Sequence, residues 1–299
     1  MDADTTKGVY AAHERLVAPA RLRPEIWRLL AGLGLIAVVV FALNAGVLAV
    51  AGSLGSELWL RNFLAGATPV AMLILLASFA FVTLGVTLAA RQLQRRSLQT
   101  IVGPYHLALT QFWHVLRGLL LLGAVLLVLP PYDMGAPMQP NLSVTVWLAV
   151  LPFSLLAVLI QTSAEEILFR GYLQQSLAAR FRSPVIWMGL PSILFAMGHY
   201  VPSEAGDNAL LIALWSGVFG LLMADLTARA GTLGPAIALH LFNNIVALLF
   251  VALPNSLDGL ALFLIPYEMS DTTNLRVWLG VDFVLMLIAW LVARLALRR

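Results

Sequence analysis

The sequence predicts an all-α, polytopic membrane protein with about eight transmembrane helices, N-in and C-in. Two observations carry this. Of the 299 residues, 61% are hydrophobic and only 11% are charged, where a soluble domain carries about 25% charged residues. The apolar residues also fall in long continuous runs, giving a mean hydropathy of +0.90. Such runs belong to helices in lipid and not to the alternating pattern of a barrel strand. The net charge of +3 comes from basic residues lying between the runs, so they read as topology signals and not as a nucleic-acid surface. Cysteine is absent, which removes disulfides, thiolate metal sites and cysteine nucleophiles together.

Taken in order, residues 1–28 carry Lys7, Arg15, Arg21, Arg23 and Arg28 and read as a cytoplasmic basic tail with a short interfacial helix. Leu29–Ser56 is uncharged and long enough to span, since about 20 apolar residues suffice. At that length it is an uncleaved first span and not a signal-peptide core. Asn62–Ala90 is the second span, closed by Arg91, Arg95 and Arg96. Residues 97–112, broken at Gly103-Pro104, read as a surface segment. Leu116–Leu129 anchors the third span, stopped by Pro130-Pro131, and a Pro- and Gly-rich loop carrying Asp133 follows. The fourth helix starts near Ser143 and runs through Glu165-Glu166 toward Phe181. Pro184–His199, Ala209–Ala224, Leu233–Leu253 and Val277–Ala293 complete the set. The chain divides into the tail, N-terminal membrane helices over 29–141, a catalytic-type group over 142–253, and an outer loop with the last helix over 254–299. With this count, sixteen of the eighteen Lys and Arg residues fall inside and only Arg61 and Arg276 outside, as the positive-inside rule requires.

Residues 160–173 hold the charges that need explaining. No charged residue occurs from Leu142 to Ala164, and then Glu165, Glu166 and Arg170 follow. A charge at a helix centre in hydrocarbon costs about 2.5–3.5 kcal/mol, so each is a functional-site hypothesis by default. Glu166 and Arg170 are spaced i,i+4 with the acid first and share a face. Glu165 is rotated about 100° away and has no cation one turn off, which makes it the candidate base and the Glu166–Arg170 pair the brace. His199 ends the fifth span. His240 lies in the seventh, with Asn243 and Asn244 one turn on. A carboxylate with two imidazoles can bind Zn²⁺, and a carboxylate with one imidazole can activate water without metal. The remaining imidazole and the amide would stabilise an oxyanion. If an ion is bound, Glu165, His199 and His240 are its candidate ligands.

Blander readings apply to the other polar residues. His106 and His114 read as packing histidines, Asp225–Arg229 as a boundary pair and Asn44 as an interhelical hydrogen bond. Asp282 has no evident partner in the sequence.

The run Glu165-Glu166-x-x-Phe169-Arg170-Gly171-x-Leu173, then Phe195-x-x-x-His199, then His240-x-x-x-Asn244 resembles the CPBP family, which includes the CAAX prenyl endopeptidases and bacteriocin-processing or immunity-related membrane proteins. The resemblance covers about residues 145–250. It implies an intramembrane endopeptidase, often labelled a metalloprotease, in which Glu165 is catalytic, His199 assists in activating water, and His240 with Asn244 forms the oxyanion site. A divalent metal such as zinc is possible but not required. The partners implied are the lipid bilayer and a peptide or membrane-protein substrate, with no nucleic acid. The competing class is non-catalytic, either a scaffold or immunity factor or a proton-coupled transporter.

Straight-helix counting leaves one conflict. From the start of the fourth span Glu165 falls toward the inner leaflet, and from Pro184 His199 falls nearer the outer end.

Overall fold

A computed structural model of the chain describes residues 8–129 and 137–298; Lys7, Pro130, Pro131 and Asp133 lie outside them. Among the described residues the apolar helices are α1 (Ile26–Leu54), α2 (Pro69–Gln94), α3 (Tyr105–Val128), α4 (Val144–Arg180), α5 (Pro184–Gly198), α6 (Pro202–Ala230), α7 (Gly234–Phe250) and α8 (Asn274–Leu297). Six are long and apolar enough to cross a membrane, and α5 and α7 are shorter. The bundle is therefore that of an integral, multi-pass membrane protein. Its large apolar side chains point outward as lipid demands, with Phe41 and Val128 each 78% exposed.

The loops that the eight-span count assigns to one side touch one another. At one end, Arg15 donates to the carbonyls of Ala230 and Gly231, and Arg96 to that of Leu16. At the other, the Asn141 amide donates to Asp258 and Ala261, Leu257 N–H to Ala65, and Arg276 to Asn208. Three two-residue strands, β1 (Gln139–Pro140), β2 (Val251–Ala252) and β3 (Phe263–Leu264), close this second end in the order β1-β3-β2. β1 runs antiparallel to β3 with Gln139 opposite Leu264, and β2 runs parallel to it with Val251 opposite Phe263.

Several boundaries differ from the sequence reading. The second span begins at Pro69, because the Thr68 hydroxyl caps the helix by accepting from Ala71 N–H and proline fits the first helical position. Asn62 belongs instead to a separate short helix, Glu57–Leu64. The third span begins at Tyr105 and not inside a surface segment ending at 112, directly after the break made by Gly103 (φ 92°) and Pro104. Its polar residues hid it. His106 and His114 are exposed on it and are not packing residues. Asn44 bonds the Val40 carbonyl one turn back in its own helix and not a neighbouring one. Asp282 lies on the outward side of α8 beside the Trp215 indole.

Helix α4 is the axis of the fold. It is α-helical to Glu166, π-helical over Ile167–Leu173, and α-helical again over Gln174–Arg180. At 37 residues it is far longer than the roughly 20 that span hydrocarbon. It then reverses through Phe181–Ser183 into α5. This hairpin resolves the depth conflict. Glu165 and His199 are each seventeen residues from Arg182, so the two antiparallel arms bring them to similar depth. Phe169 and Phe195, each thirteen residues from Arg182, prove the register by meeting edge to face at 5.2 Å.

The N-terminal segment, read from sequence as a tail, forms short helical turns over Ala11–Leu22 with Leu16, Val17 and Ala20 buried. Beneath the segment, Arg96 bonds Gln175 and Thr100, Gln94 bonds Ser176, and Gln175 bonds Ile101. Burial lowers the Arg96 guanidinium to about 10. His13 stacks on Trp187 at 4.7 Å, and its Nε2 faces the Gln174 amide nitrogen. An amide N–H donates, so Nε2 presents its lone pair and the ring is neutral. Burial first, and Arg21 second, lower the His13 pKa from 6.5 to about 4.

Two outcomes are expected. As pH falls, the unfolded chain protonates His13 near 6.5 and the folded chain only near 4. This contribution to stability is full above about pH 6.5 and is lost on descending toward pH 4. Unfolding midpoints measured across that window should fall for the wild type and fall less for His13→Phe. Gly171 is the second case, since a Cβ there would strike Ile101 Cγ2. Gly171→Ala should cost about 1–3 kcal/mol by overpacking in the wild-type chain and much less when made in an Ile101→Ala background. Denaturant titration of the four proteins in detergent measures the coupling, and additive losses would refute the contact.

Candidate active site

The site forms where α4 crosses α7. The two helices run antiparallel with matching polar registers. Glu165 faces His240, and one turn earlier on α4 Gln161 faces Asn244, one turn later on α7. The i,i+4 spacing on both helices stacks these residues on one face, so two polar contacts are made by a single packing interface.

His240 is the hub. Its Nδ1 lies 2.8 Å from Glu166 Oε1 and its Nε2 lies 3.4 Å from Glu165 Oε2. Glu166 also faces Arg170, with Nη1 at 3.3 Å from Oε1, while Arg170 Nη2 donates to the Gly220 carbonyl at 3.2 Å. The result is a continuous row, Arg170–Glu166–His240–Glu165, contributed by two helices. Because a carboxylate accepts, Nδ1 donates to Glu166, which fixes the ring's tautomer and orientation. Both ring nitrogens of His240 face carboxylate oxygens, and the Arg170 guanidinium faces the more buried carboxylate. Pairing of this kind is what burial of ionisable groups requires.

The two glutamates differ in access. Glu166 is 0% exposed and Glu165 is 15% exposed. Only Glu165 therefore has a side open to water or substrate. Glu166 turns toward Arg170 as the spacing predicts, and it also holds His240, which the sequence did not reveal. Glu165, in turn, has a basic neighbour after all, supplied across the helix interface and not along its own helix.

An aromatic shell packs around the row. Phe219 meets the His240 ring at 5.0 Å and Phe195 meets it at 6.1 Å. Arg170 lies over Phe195 at 4.9 Å. Phe195 also contacts the ring of His199 at 4.5 Å, so one benzene ring stands between the two imidazoles. His199 is the residue that caps α5, half-buried, with Nδ1 donating to the Phe195 carbonyl at 2.9 Å. That bond leaves Nε2 without a hydrogen-bond partner among the described residues.

Asn244 donates from Nδ2 to Gln161 Oε1 at 2.8 Å and accepts from Asn243 Nδ2 at 3.2 Å. Gln161 is buried and was missed in the sequence reading. The available signal was an amide one turn before Glu165 inside an uncharged run. Asp225 is more than a boundary partner for Arg229, since it also accepts from Tyr10 and Trp290.

Among the described residues no three His, Asp or Glu side chains are grouped as metal ligands, so Glu165, His199 and His240 do not form such a set in this geometry. The arrangement suits proton transfer at Glu165 and hydrogen-bond donation from His240 and Asn244.

Comparison with known proteins bears on this same region. A family model described as type II CAAX prenyl endopeptidase Rce1-like matches residues 146–246, from the first turn of α4 into the last turns of α7. The chain is also similar to an uncharacterized protein, YyaK, of Bacillus subtilis (strain 168), with 28% identity over 190 residues. That match covers 60% of this chain and 61% of the relative, so the chain spans about three-fifths of the length of the curated protein it matches. No solved structure matches. Residues 146–246, which hold every motif residue of the site, are thus similar to the type II CAAX prenyl endopeptidase Rce1-like family.

Proposed function

We propose that the chain is an intramembrane endopeptidase of the CAAX-protease type, hydrolysing a peptide bond of a peptide or membrane-protein substrate with a glutamate-activated water. The observation that carries this reading is the position of His240 between a closed carboxylate and a partly open one, 2.8 Å from Glu166 and 3.4 Å from Glu165. A purely structural ion pair needs no second glutamate with an open side.

In this mechanism Glu165 takes a proton from water as the water oxygen attacks the scissile carbonyl carbon. The unengaged Nε2 of His199 helps to hold that water. Nε2–H of His240 and the second amide N–H of Asn244 donate to the carbonyl oxygen as it gains charge. The C–N bond then breaks, the proton held by Glu165 passes to the leaving amine, and Glu165 returns to its starting state. Glu166 and Arg170 are positioning residues, since they act through the His240 ring.

Two experiments test the assignment of roles. Purified wild-type protein in proteoliposomes should cut at least one member of a panel of membrane-anchored peptides, prenylated and unprenylated. Glu165→Gln should lower the rate by at least about 10²-fold, the low end for loss of a general base, with the unfolding midpoint nearly unchanged. Failure of the wild type to cut any of them, or equal rates for wild type and Glu165→Gln, would favour a scaffold, immunity factor or transporter. Arg170→Ala should behave differently and destabilise the fold by about 3–5 kcal/mol, because Glu166 is left buried without its cation. A well-folded Arg170→Ala protein at wild-type yield and stability would remove the brace from the mechanism.

A further inference from the structure

At the basic end of the bundle a groove of about 430 Å³ opens between the first half of α3 and the last turn of α8. Gln111 and His114 form one wall, and Ala296, Leu297 and Arg298 form the other. Gln111 is already occupied, accepting from the Thr232 hydroxyl and donating to the Ala230 carbonyl, so it shapes the wall without being free to bind. His114 and Arg298 are exposed, and so is Arg117, three residues beyond His114 and on the same face of α3. None of the five lining residues is acidic. The carbonyl end of α8 contributes some negative potential, which the Arg298 backbone N–H partly satisfies by bonding the Arg294 and Leu295 carbonyls.

Directly beside this polar mouth the surface turns aliphatic and aromatic. Leu121, two turns beyond His114, is 70% exposed, Leu295 is 76% exposed, and Trp113, next to His114 in the chain, is 47% exposed. Gly118 lets α3 and α8 approach closely, since a Cβ there would meet Val292 Cγ1 at 3.1 Å. A cationic mouth continuous with exposed hydrocarbon fits an amphiphile with an anionic head, and basic pockets between membrane helices are where such headgroups seat.

We propose that this groove binds the headgroup of an anionic phospholipid, its phosphate against Arg298 and His114, with the acyl chains lying along the exposed leucines of α3 and α8. The proposal is independent of the protease reading and concerns none of its residues.

The test uses the full chain in detergent, titrated with phosphatidylglycerol, with phosphatidylcholine and with inorganic phosphate. Bound lipid is followed by native mass spectrometry and stability by the unfolding midpoint. Phosphatidylglycerol should be retained at one site and raise the midpoint, while phosphatidylcholine and inorganic phosphate do so far less. Arg298→Ala should weaken retention by about fivefold, the weight of one basic residue near an anionic membrane surface. Arg298→Lys should keep it, and Arg61→Ala at the opposite end should leave it unchanged. His114→Ala gives a second reading on the same groove should Arg298→Ala fold poorly. Equal retention of the two lipids would overturn the proposal, as would variants indistinguishable from wild type. Inorganic phosphate matching the lipid would also overturn it, marking a site for free anions.

Discussion

The structure depends on the mutual pairing of ionisable side chains held in the interior of a membrane-type bundle. Arg170, Glu166 and His240 are each 4% exposed or less, and no one of them is tolerable there alone. The cost of stranding one charge exceeds the gain from most packing contacts. That cost dictates which helices must be neighbours. Glu166 can be buried only if α7 delivers His240 to it and Arg170 stays one turn away. The bundle around α4 and α7 is arranged so that both conditions hold.

The geometry of α4 then explains how groups from different helices reach one level. A straight span of ordinary length would leave Glu165 and His199 at different depths. An overlong helix that turns back at Phe181–Ser183 makes the hairpin, not the bilayer, the reference for depth. The aromatic contact of Phe169 with Phe195 locks that register. Phe195 also adjoins both imidazoles and Arg170, so it couples the depth of α5 to the position of the α7 histidine.

Much of this was legible in the sequence, for identifiable reasons. Charge is so expensive in lipid that each charged residue in an apolar run marks a site, and Glu165, Glu166 and Arg170 stood out on that ground alone. Continuous apolar runs gave the helix count. What stayed hidden depends on tertiary register. Nothing local links Glu166 to His240, seventy-four residues away, so the second carboxylate looked like a brace for Arg170 only. Gln161 was hidden because an uncharged amide is cheap enough to pass as an ordinary helix residue. The start of α3 was hidden for the opposite reason, since His106, Gln111, His114 and Arg117 give its first half a surface composition although it is helical from Tyr105.

The π-helical stretch Ile167–Leu173 has a consequence for how the gene can vary. In a π segment the backbone bonds reach one residue further than in an α-helix, so an extra residue is absorbed without breaking the rod. The phase of the two flanking halves is thereby kept. Glu165 and Glu166 precede the stretch, while Gln174, Gln175 and Ser176, which anchor the lower half of α4, follow it. Loss of a single codon within the stretch, with reversion to ordinary α-helix, would leave the halves nearly in phase. Loss of one from an α-helical part of α4 would instead rotate one side of the deletion against the other by about 100°. The π stretch is therefore where α4 can shorten by one residue with the least disturbance to what its two halves hold.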